Sequence, residues 1–218
     1  MKQVVLRMFR TVVSLVVVGT MAMMIFSLRG ELAQSRAQIR SAAGDPGLFE
    51  TIRSRTSIRK FDSSRSVSDA DVEKILRAAM CAPSAMNRQP WEFVVVRNKS
   101  LLAELGHRLP NSRVGNGAQA AIVVCGSTDN GLLGRGKEYW IHDCSAASMN
   151  ILLAAKALGL GAVWTGVYPG EERIAAVRDI VKIPAGYLPL NVIPLGYPAE
   201  NPPPKDKWNS AKVHYDVW

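Results

Sequence analysis

Two groups of basic residues lie far apart in the sequence, and both have side chains suited to binding a phosphate. In the first group, Arg55, Ser57 and Arg59 alternate with other residues. Arginine offers a planar fork of N–H donors and serine offers a hydroxyl, so this group could bind a phosphate through charge-assisted hydrogen bonds. The second group, Lys205 and Lys207, follows a run of three prolines. Each group alone is more typical of a solvated basic loop, so phosphate binding needs support from other features.

The segment of residues 82–91, here called the proline loop, combines two prolines with Ser84, Asn87, Gln89 and Trp91. It lies between a predicted helix and the apolar run of residues 93–96. Prolines and small polar residues favour a defined turn, and a loop held between two rigid elements is a common place for binding residues. Its hydroxyl and amide groups could contact a flat polar ligand.

The order of several motifs along the chain is more specific than any one of them. The basic serine loop comes first, followed by Pro-Ser-X-X-Asn-X-Gln-Pro-Trp and a long alanine-rich helix opened by Asp143. Gly-Leu-Gly with a strand, Leu-Gly-Tyr-Pro and the two lysines follow. This order resembles the nitroreductase family of FMN-dependent enzymes over residues 48–218.

The resemblance implies an α+β fold with a mainly antiparallel central sheet flanked by helices. It also implies a homodimer that binds two FMN molecules at the subunit interface. NADH or NADPH would reduce the flavin, and a nitroaromatic, a quinone or a related small aromatic acceptor would then oxidise it. Hydride transfer at flavin N5 needs no side-chain nucleophile, so no catalytic triad is expected.

The resemblance also assigns binding roles to particular residues. The residues expected to hold the FMN phosphate and ribityl chain are Arg55, Thr56, Ser57, Arg59, Lys205 and Lys207. The residues expected to reach the flavin of the partner subunit are Pro83, Ser84, Ala85 and Asn87. The residues expected under the flavin ring are Trp164, Thr165 and Gly166, with a backbone N–H of Thr165 or Gly166 near N5. Two positions depart from the family pattern, since many relatives have an acidic residue at Thr165 and arginine is common at Lys207.

Composition excludes several other classes of protein. Residues 1–43 hold six basic residues and one acidic residue, which is +5 of the net charge of +9, so residues 44–218 contribute only +4. That balance, with no zinc-finger or RNA-binding signature, argues against nucleic-acid binding. Cys81, Cys125 and Cys144 are too few and too scattered for a disulfide framework, and no metal site is expected. Cys125 ends an apolar run and is expected in the core.

The amino-terminal region has the pattern of a targeting or anchoring segment. Residues 11–28 contain no charged residue and follow Lys2, Arg7 and Arg10. An uncharged run of this length after basic residues predicts a secretory signal or an apolar anchor helix. We therefore expect residues 1–43 to be a signal or membrane anchor with a linker, and residues 44–218 to be the FMN-binding domain. The protein would be membrane-anchored or exported, in an undetermined orientation, or the segment could serve only for targeting.

The spacing of apolar residues predicts the elements of the domain. Predicted helices cover residues 46–54, 100–109, 138–158 and 170–180, and a further helix begins after Ser68 and contains Val72, Ile75 and Ala79. Predicted strands cover residues 92–97, 120–126, 161–167 and 190–195. Strands and helices do not alternate strictly, which favours an α+β fold over a doubly wound sheet. Trp91 and Trp140 are expected in the core or an interface.

Two alternatives remain open at this stage. One is a relative that uses the same scaffold for other flavin chemistry, such as dehydrogenation or reductive dehalogenation. The other is a non-catalytic flavin-binding module at the membrane.

Overall fold

A computed structural model describes residues 20, 21, 23–31, 46–129 and 138–218. The chain divides into two compact units, Met1–Glu50 and Thr51–Trp218. In the first unit, residues 20, 21 and 23–31 are helical. The boundary predicted near residue 44 lies outside the described residues and stays a prediction.

The prediction of an apolar anchor helix, and of a membrane-anchored or exported protein, is wrong. No helix within the described residues is long and apolar enough to cross a membrane. The helical stretch of residues 23–31 has exposed side chains. It also contains the charged residues Arg29 and Glu31. The rest of the expected span, residues 11–19 and 22, lies outside the described residues.

Five α-helices lie in the described part of residues 46–218. They are α1 (Pro46–Ser54), α2 (Asp69–Met80), α3 (Lys99–Arg108), α4 (Tyr139–Ala157) and α5 (Glu171–Val181). Side chains cap two of them, which satisfies backbone donors in the first turn. The Ser68 hydroxyl accepts from the Asp71 N–H at the start of α2, as the sequence predicted. The Asn98 side chain accepts from two N–H groups at the start of α3.

Within the described residues, five strands form one sheet. They are β1 (Trp91–Val96), β2 (Ala120–Ser127), β3 (Gly161–Ala162), β4 (Thr165–Gly166) and β5 (Tyr187–Gly196). The order is β1-β2-β5-β3, and β4 also pairs with β5. All of these strand pairs are antiparallel. The predicted α+β fold with an antiparallel sheet and helices is therefore confirmed.

Strand β2 lies at the centre of the core and all eight of its residues are buried. Its side chains alternate between two apolar clusters, because successive residues of a strand point to opposite faces. Ile122 packs in the cluster that contains residues of α2 and α4. Val123 packs in the cluster that contains residues of α3 and α5. Helices thus cover both faces of the sheet, which explains why this strand is a continuous apolar run.

The single strand predicted over residues 161–167 is instead two short strands in one register. Ala162 lies opposite Leu195 and Thr165 lies opposite Val192. Continued between these pairs, the register sets Pro194 opposite the intervening segment. Proline has no N–H to donate, so the ladder is interrupted there. The consequence is that Thr165 and Gly166 form a separate, short strand on β5.

Candidate FMN site

Backbone pairing brings the two basic groups together. The Ala199 N–H donates to the Lys60 carbonyl at 3.0 Å, and the Asp62 N–H donates to the Tyr197 carbonyl at 2.9 Å. The loop that contains Arg55, Thr56, Ser57 and Arg59 therefore lies beside the segment that enters the proline run. The register between these two segments, which are remote in the sequence, is set by the fold.

Glu200 adds a second connection between the same two segments. Its carboxylate accepts hydrogen bonds from the backbone N–H groups of Arg59 and Lys60. Pro202, Pro203 and Pro204 follow directly and restrict the path of the chain towards the lysines. Glu200 could not be predicted from the sequence, because a carboxylate that binds two remote backbone donors leaves no local pattern.

Both basic groups line one open cavity, here called the basic cavity, of about 850 Å³. Its lining residues are Ile52, Arg53, Arg55, Thr56, Ser57, Arg59, Pro202, Pro203, Pro204, Lys205, Asp206 and Lys207. Five of them are basic and one is acidic. The Asp206 carboxylate accepts from the Trp208 N–H at 3.0 Å. The balance of charge in this cavity suits an anion such as a phosphate.

Arg55 has a donor that lacks an acceptor. Its side chain is half-buried, and its Nε atom is buried with no hydrogen-bond partner among the described residues. Buried polar groups in proteins are nearly always paired, so such a donor points to an acceptor supplied by a ligand. Arg55 also lines a second cavity of about 260 Å³ that reaches Ala162 of β3. Arg55 thus lies between the basic cavity and the strand that leads to Thr165.

The segment predicted to lie under the flavin ring is fixed to the sheet. The Val167 and Tyr168 N–H groups both donate to the Leu190 carbonyl, at 2.9 and 3.1 Å. The Thr165 hydroxyl donates to the Ser112 carbonyl at 3.2 Å. A side chain added at Gly166 would meet no atom within 4 Å, so open space lies on that side of the backbone. This geometry leaves room for a flat ligand close to the main chain.

Trp164 precedes that strand and is 37% exposed. The lining of the basic cavity, as far as the chain is described, includes neither Trp164 nor Thr165 and Gly166. The structure therefore brings the six predicted phosphate-binding residues together, whereas the three predicted ring-binding residues lie on β4 or directly before it. The binding roles of all of them stay predictions.

The proline loop is held by the long helix α4. The Asp143 carboxylate, on a buried residue of α4, accepts from the Ala85 N–H at 3.0 Å. Within the loop, the Ser84 hydroxyl accepts from the Gln89 N–H and the Asn87 side chain accepts from the Gln89 amide, both at 2.9 Å. Ser84 and Ala85 are half-buried, whereas Pro83 and Asn87 are exposed. None of these residues lines the basic cavity of its own chain.

The buried thiols have no role in the candidate site. Cys125 is 2% exposed, which confirms its predicted place in the core. Burial, and secondarily the Glu92 carboxylate, raises the pKa of Cys125 to about 12. Burial also raises the pKa of Cys144, whose Sγ donates to the Cys125 carbonyl at 3.5 Å. Both thiols therefore stay protonated near neutral pH and are not nucleophiles.

Comparison with known proteins identifies the family. The model of the nitroreductase family matches residues 52–123 and 107–197, which is more than half of the chain. The chain belongs to the nitroreductase family. A nitroreductase-family relative in Methanothermobacter thermautotrophicus, named as a candidate NADH dehydrogenase/NAD(P)H nitroreductase, is 46% identical over 171 residues. That match covers 78% of this chain and 87% of the relative. The family assignment made from the order of the sequence motifs is confirmed.

Solved nitroreductase structures have the same fold. A candidate NADH dehydrogenase/NAD(P)H nitroreductase from Parabacteroides distasonis is 44% identical, with a TM-score of 0.73 over 78% of this chain and 98% of the other. A candidate nitroreductase from Desulfovibrio desulfuricans was solved in complex with FMN. It is 29% identical, with a TM-score of 0.67 over 80% of this chain and 99% of the other.

Proposed function

We propose that this nitroreductase passes hydride from NADH or NADPH, through FMN bound beside the basic cavity, to a nitroaromatic, quinone or similar acceptor. The family assignment and the relatives make the chain an FMN-dependent NAD(P)H oxidoreductase. The predicted cofactor and electron donor are thereby confirmed, while the acceptor class is our proposal. The observation that carries it is that Arg55, Ser57, Arg59, Lys205 and Lys207 line one cavity.

The side chains of the basic cavity fit the phosphate end of FMN. A phosphate monoester is close to a dianion at neutral pH and accepts several hydrogen bonds. Arg55 and Arg59 can donate through guanidinium forks, Ser57 through its hydroxyl, and the two lysines as mobile point charges. The buried and unpaired Nε of Arg55 supports this assignment, since a phosphate oxygen would give it an acceptor.

Strand β4, which consists of Thr165 and Gly166, is suited to contact the ring end of FMN. When bound, FMN supplies the chemistry, which is hydride acceptance and donation at its ring. The chain supplies a fixed backbone, because β4 is paired with the buried strand β5. In our proposal, a backbone N–H of this strand donates to N5 and stabilises the reduced ring. The open space beside Gly166 would admit the ring and would leave its other face to the two substrates in turn.

We also propose that the protein is a homodimer in which the proline loop completes the site of the partner. The loop is ordered by Asp143 but lies outside the basic cavity of its own chain. Exposed apolar side chains lie on α2, the proline loop and α4, which are adjacent elements. They are Met80, Met86, Tyr139 and Met149, which are between 39% and 75% exposed. Apolar side chains grouped in this way mark an interface, and a second copy of the chain would cover them.

The visible absorption spectrum of the purified full-length protein tests the function. We expect flavin bands, an FMN mass in the heat-released cofactor, and bleaching on addition of NADH or NADPH under anaerobic conditions. A quinone or a nitroaromatic should then restore the bands. A colourless protein that does not take up FMN would reject the proposal. Flavin that NADH reduces but that no quinone or nitroaromatic oxidises would instead indicate other chemistry on this scaffold.

Mixing of two inactive variants tests the composite site. One variant is Arg55→Ala with Ser57→Ala, and the other is Ser84→Ala with Asn87→Ala. After subunit exchange, half of the dimers are mixed and each has one intact site, so about a quarter of the sites should be active. Light scattering should give a dimer for both variants. Activity in the mixture no higher than in the separate variants would mean that the loop acts on its own subunit.

A further inference from the structure

Arg173 lies beside the strand assigned to the flavin ring, and a hydrogen bond joins its guanidinium to that strand. Its Nη1 donates to the Gly166 carbonyl at 3.0 Å. A Cβ built on Gly170 would lie 2.7 Å from Arg173 Nε and 2.9 Å from its Nη2. The guanidinium therefore packs over the bare backbone of Gly170, and any side chain at that position would displace it.

Most of the donors of Arg173 remain available. An arginine has five N–H donors, and within the described part of the chain only the bond to Gly166 is formed by this side chain. The side chain is exposed. Glu171 and Glu172 precede it in the first turn of α5, but no acidic group of the described residues lies within 4.0 Å of its guanidinium. An exposed guanidinium that is hydrogen-bonded to the backbone, and that forms no ion pair with the described residues, is suited to a mobile anion.

We propose that Arg173 binds an oxyanion of the molecule that exchanges hydride with the flavin. This inference rests on the proposed function, since it assumes that the ring lies at Gly166. A substrate stacked on the ring would extend past the edge of β4, where Arg173 donates to the Gly166 carbonyl. The oxyanion is a phosphate of the nicotinamide donor or a carboxylate of an acidic acceptor. Both present the planar or tetrahedral oxygens that a guanidinium binds well.

The experiment compares Arg173→Gln with the wild-type holoenzyme on matched substrate pairs. The donor pair is NADH and uncharged 1-benzyl-1,4-dihydronicotinamide, and the acceptor pair is 4-nitrobenzoate and 4-nitrobenzamide. We expect the KM of one charged member to rise about tenfold, while the change for its uncharged partner stays below twofold, because hydrogen bonds to charged groups are the strong ones. A rise for NADH assigns the phosphate, and a rise for 4-nitrobenzoate assigns the carboxylate. Arg173→Lys should recover part of the loss.

Lys182→Gln is the matched control, because it removes a positive charge from the residue after α5 without touching Gly166. Lys182 is exposed, and we expect the KM values of the Lys182→Gln variant to equal those of the wild type. Equal effects of Arg173→Gln on charged and uncharged members would mean that Arg173 only supports the Gly166 backbone, which overturns the inference. No effect on either pair overturns it as well.

The two proposals fail in different ways. If the wild-type protein binds FMN and NADH reduces it, but Arg173→Gln behaves as the wild type, only the inference about Arg173 is wrong. If the protein binds FMN that NADH does not reduce, the donor of the proposed function is wrong. The change of flavin absorbance on titration with 4-nitrobenzoate then still measures whether Arg173 binds a carboxylate. A protein without FMN overturns both proposals.

Discussion

At the phosphate end of the proposed site the binding groups are charged side chains on irregular backbone, whereas at the ring end they are backbone atoms of a strand. Arg59, Lys205 and Lys207 are exposed, and the segments that carry them meet through a few hydrogen bonds. Thr165 and Gly166 are instead paired with β5, and the following residue, Val167, is fully buried.

The difference follows from what each end has to do. A phosphate is a large charge, so several flexible donors bind it well even when each one is weakly fixed. Hydride transfer depends on orientation, and small displacements of the reacting atoms cost much of the rate. We therefore expect changes at the phosphate end to alter FMN affinity, and changes at the ring end to alter the rate at which bound flavin is reduced.

The largest expected effect is at the phosphate end. Arg55→Ala with Ser57→Ala removes two direct donors, which should weaken FMN binding by about a hundredfold, or about 3 kcal/mol. Fluorescence titration of the apoprotein with FMN measures the affinity, and circular dichroism checks the fold. The control is Arg77→Ala with Ser100→Ala, two exposed residues outside the cavity. Unchanged affinity in the first variant would mean that the phosphate lies elsewhere.

The next effect is at the ring end. Gly166→Ala adds a methyl group in open space, so the free energy of unfolding should change by less than about 0.5 kcal/mol. The same methyl group would push the ring away from the backbone, and stopped-flow reduction by NADH should slow about tenfold. Gly115→Ala is the control, since its added carbon meets only an ordinary contact at 3.7 Å. A normal reduction rate in Gly166→Ala would place the ring away from this strand.

A smaller effect is expected from the carboxy-terminal lysines. Lys205→Gln with Lys207→Gln removes two exposed charges, each worth at most about 1 kcal/mol, so FMN affinity should fall about fivefold. The loss should shrink as salt is added, because salt screens exposed charges. Titrations in low and high salt measure this change, beside Lys99→Gln with Lys212→Gln, which lie outside the cavity. An effect independent of salt would indicate that the lysines do not act by charge.

The smallest expected effect is on stability, and it concerns the hydrogen bond that holds Thr165 of β4 in place. Thr165→Val keeps the shape of the side chain but loses the hydrogen bond to the Ser112 carbonyl, so it should cost about 1 kcal/mol of unfolding free energy. Urea denaturation measures the loss, and Thr165→Ser, which keeps the hydroxyl, should be closer to the wild type. If Thr165→Val also lowers FMN affinity more than the lysine variant does, the division between the two ends is wrong.

Much of the fold could be predicted because its elements have strong local signals. The helix over Pro46–Ser54 has the predicted bounds, and the other labelled helices and β1, β2 and β5 differ from their predictions by a few residues at the ends. The break between β3 and β4 was missed, because it depends on Pro194 of another strand. The anchor helix was wrongly predicted from an uncharged run, since no helix within the described residues is long and apolar enough to cross a membrane.

The candidate site was harder to predict from the sequence than the fold was. Arg55 and Lys205 could be matched to the family only through the order of motifs, and the cavity between them depends on a pairing of remote segments. Arg173 was not predicted from the sequence. Its contact with the Gly166 carbonyl depends on the absence of a side chain at Gly170, which leaves space for the guanidinium. Asp143 was noticed as the start of a helix, but its bond to Ala85 could not be foreseen.

The amino-acid sequence by itself determined the helices, the strands and the types of side chain available for an anionic cofactor, because apolar spacing and chemical groups are local properties. Only the tertiary structure decided that Arg55 and Lys205 line one cavity and that Gly166 lies on β5 with Arg173 at its carbonyl. Arg55 and Lys205 are remote in the sequence, as are Gly166 and its partner on β5, and antiparallel backbone pairing, not sequence distance, sets which segments meet.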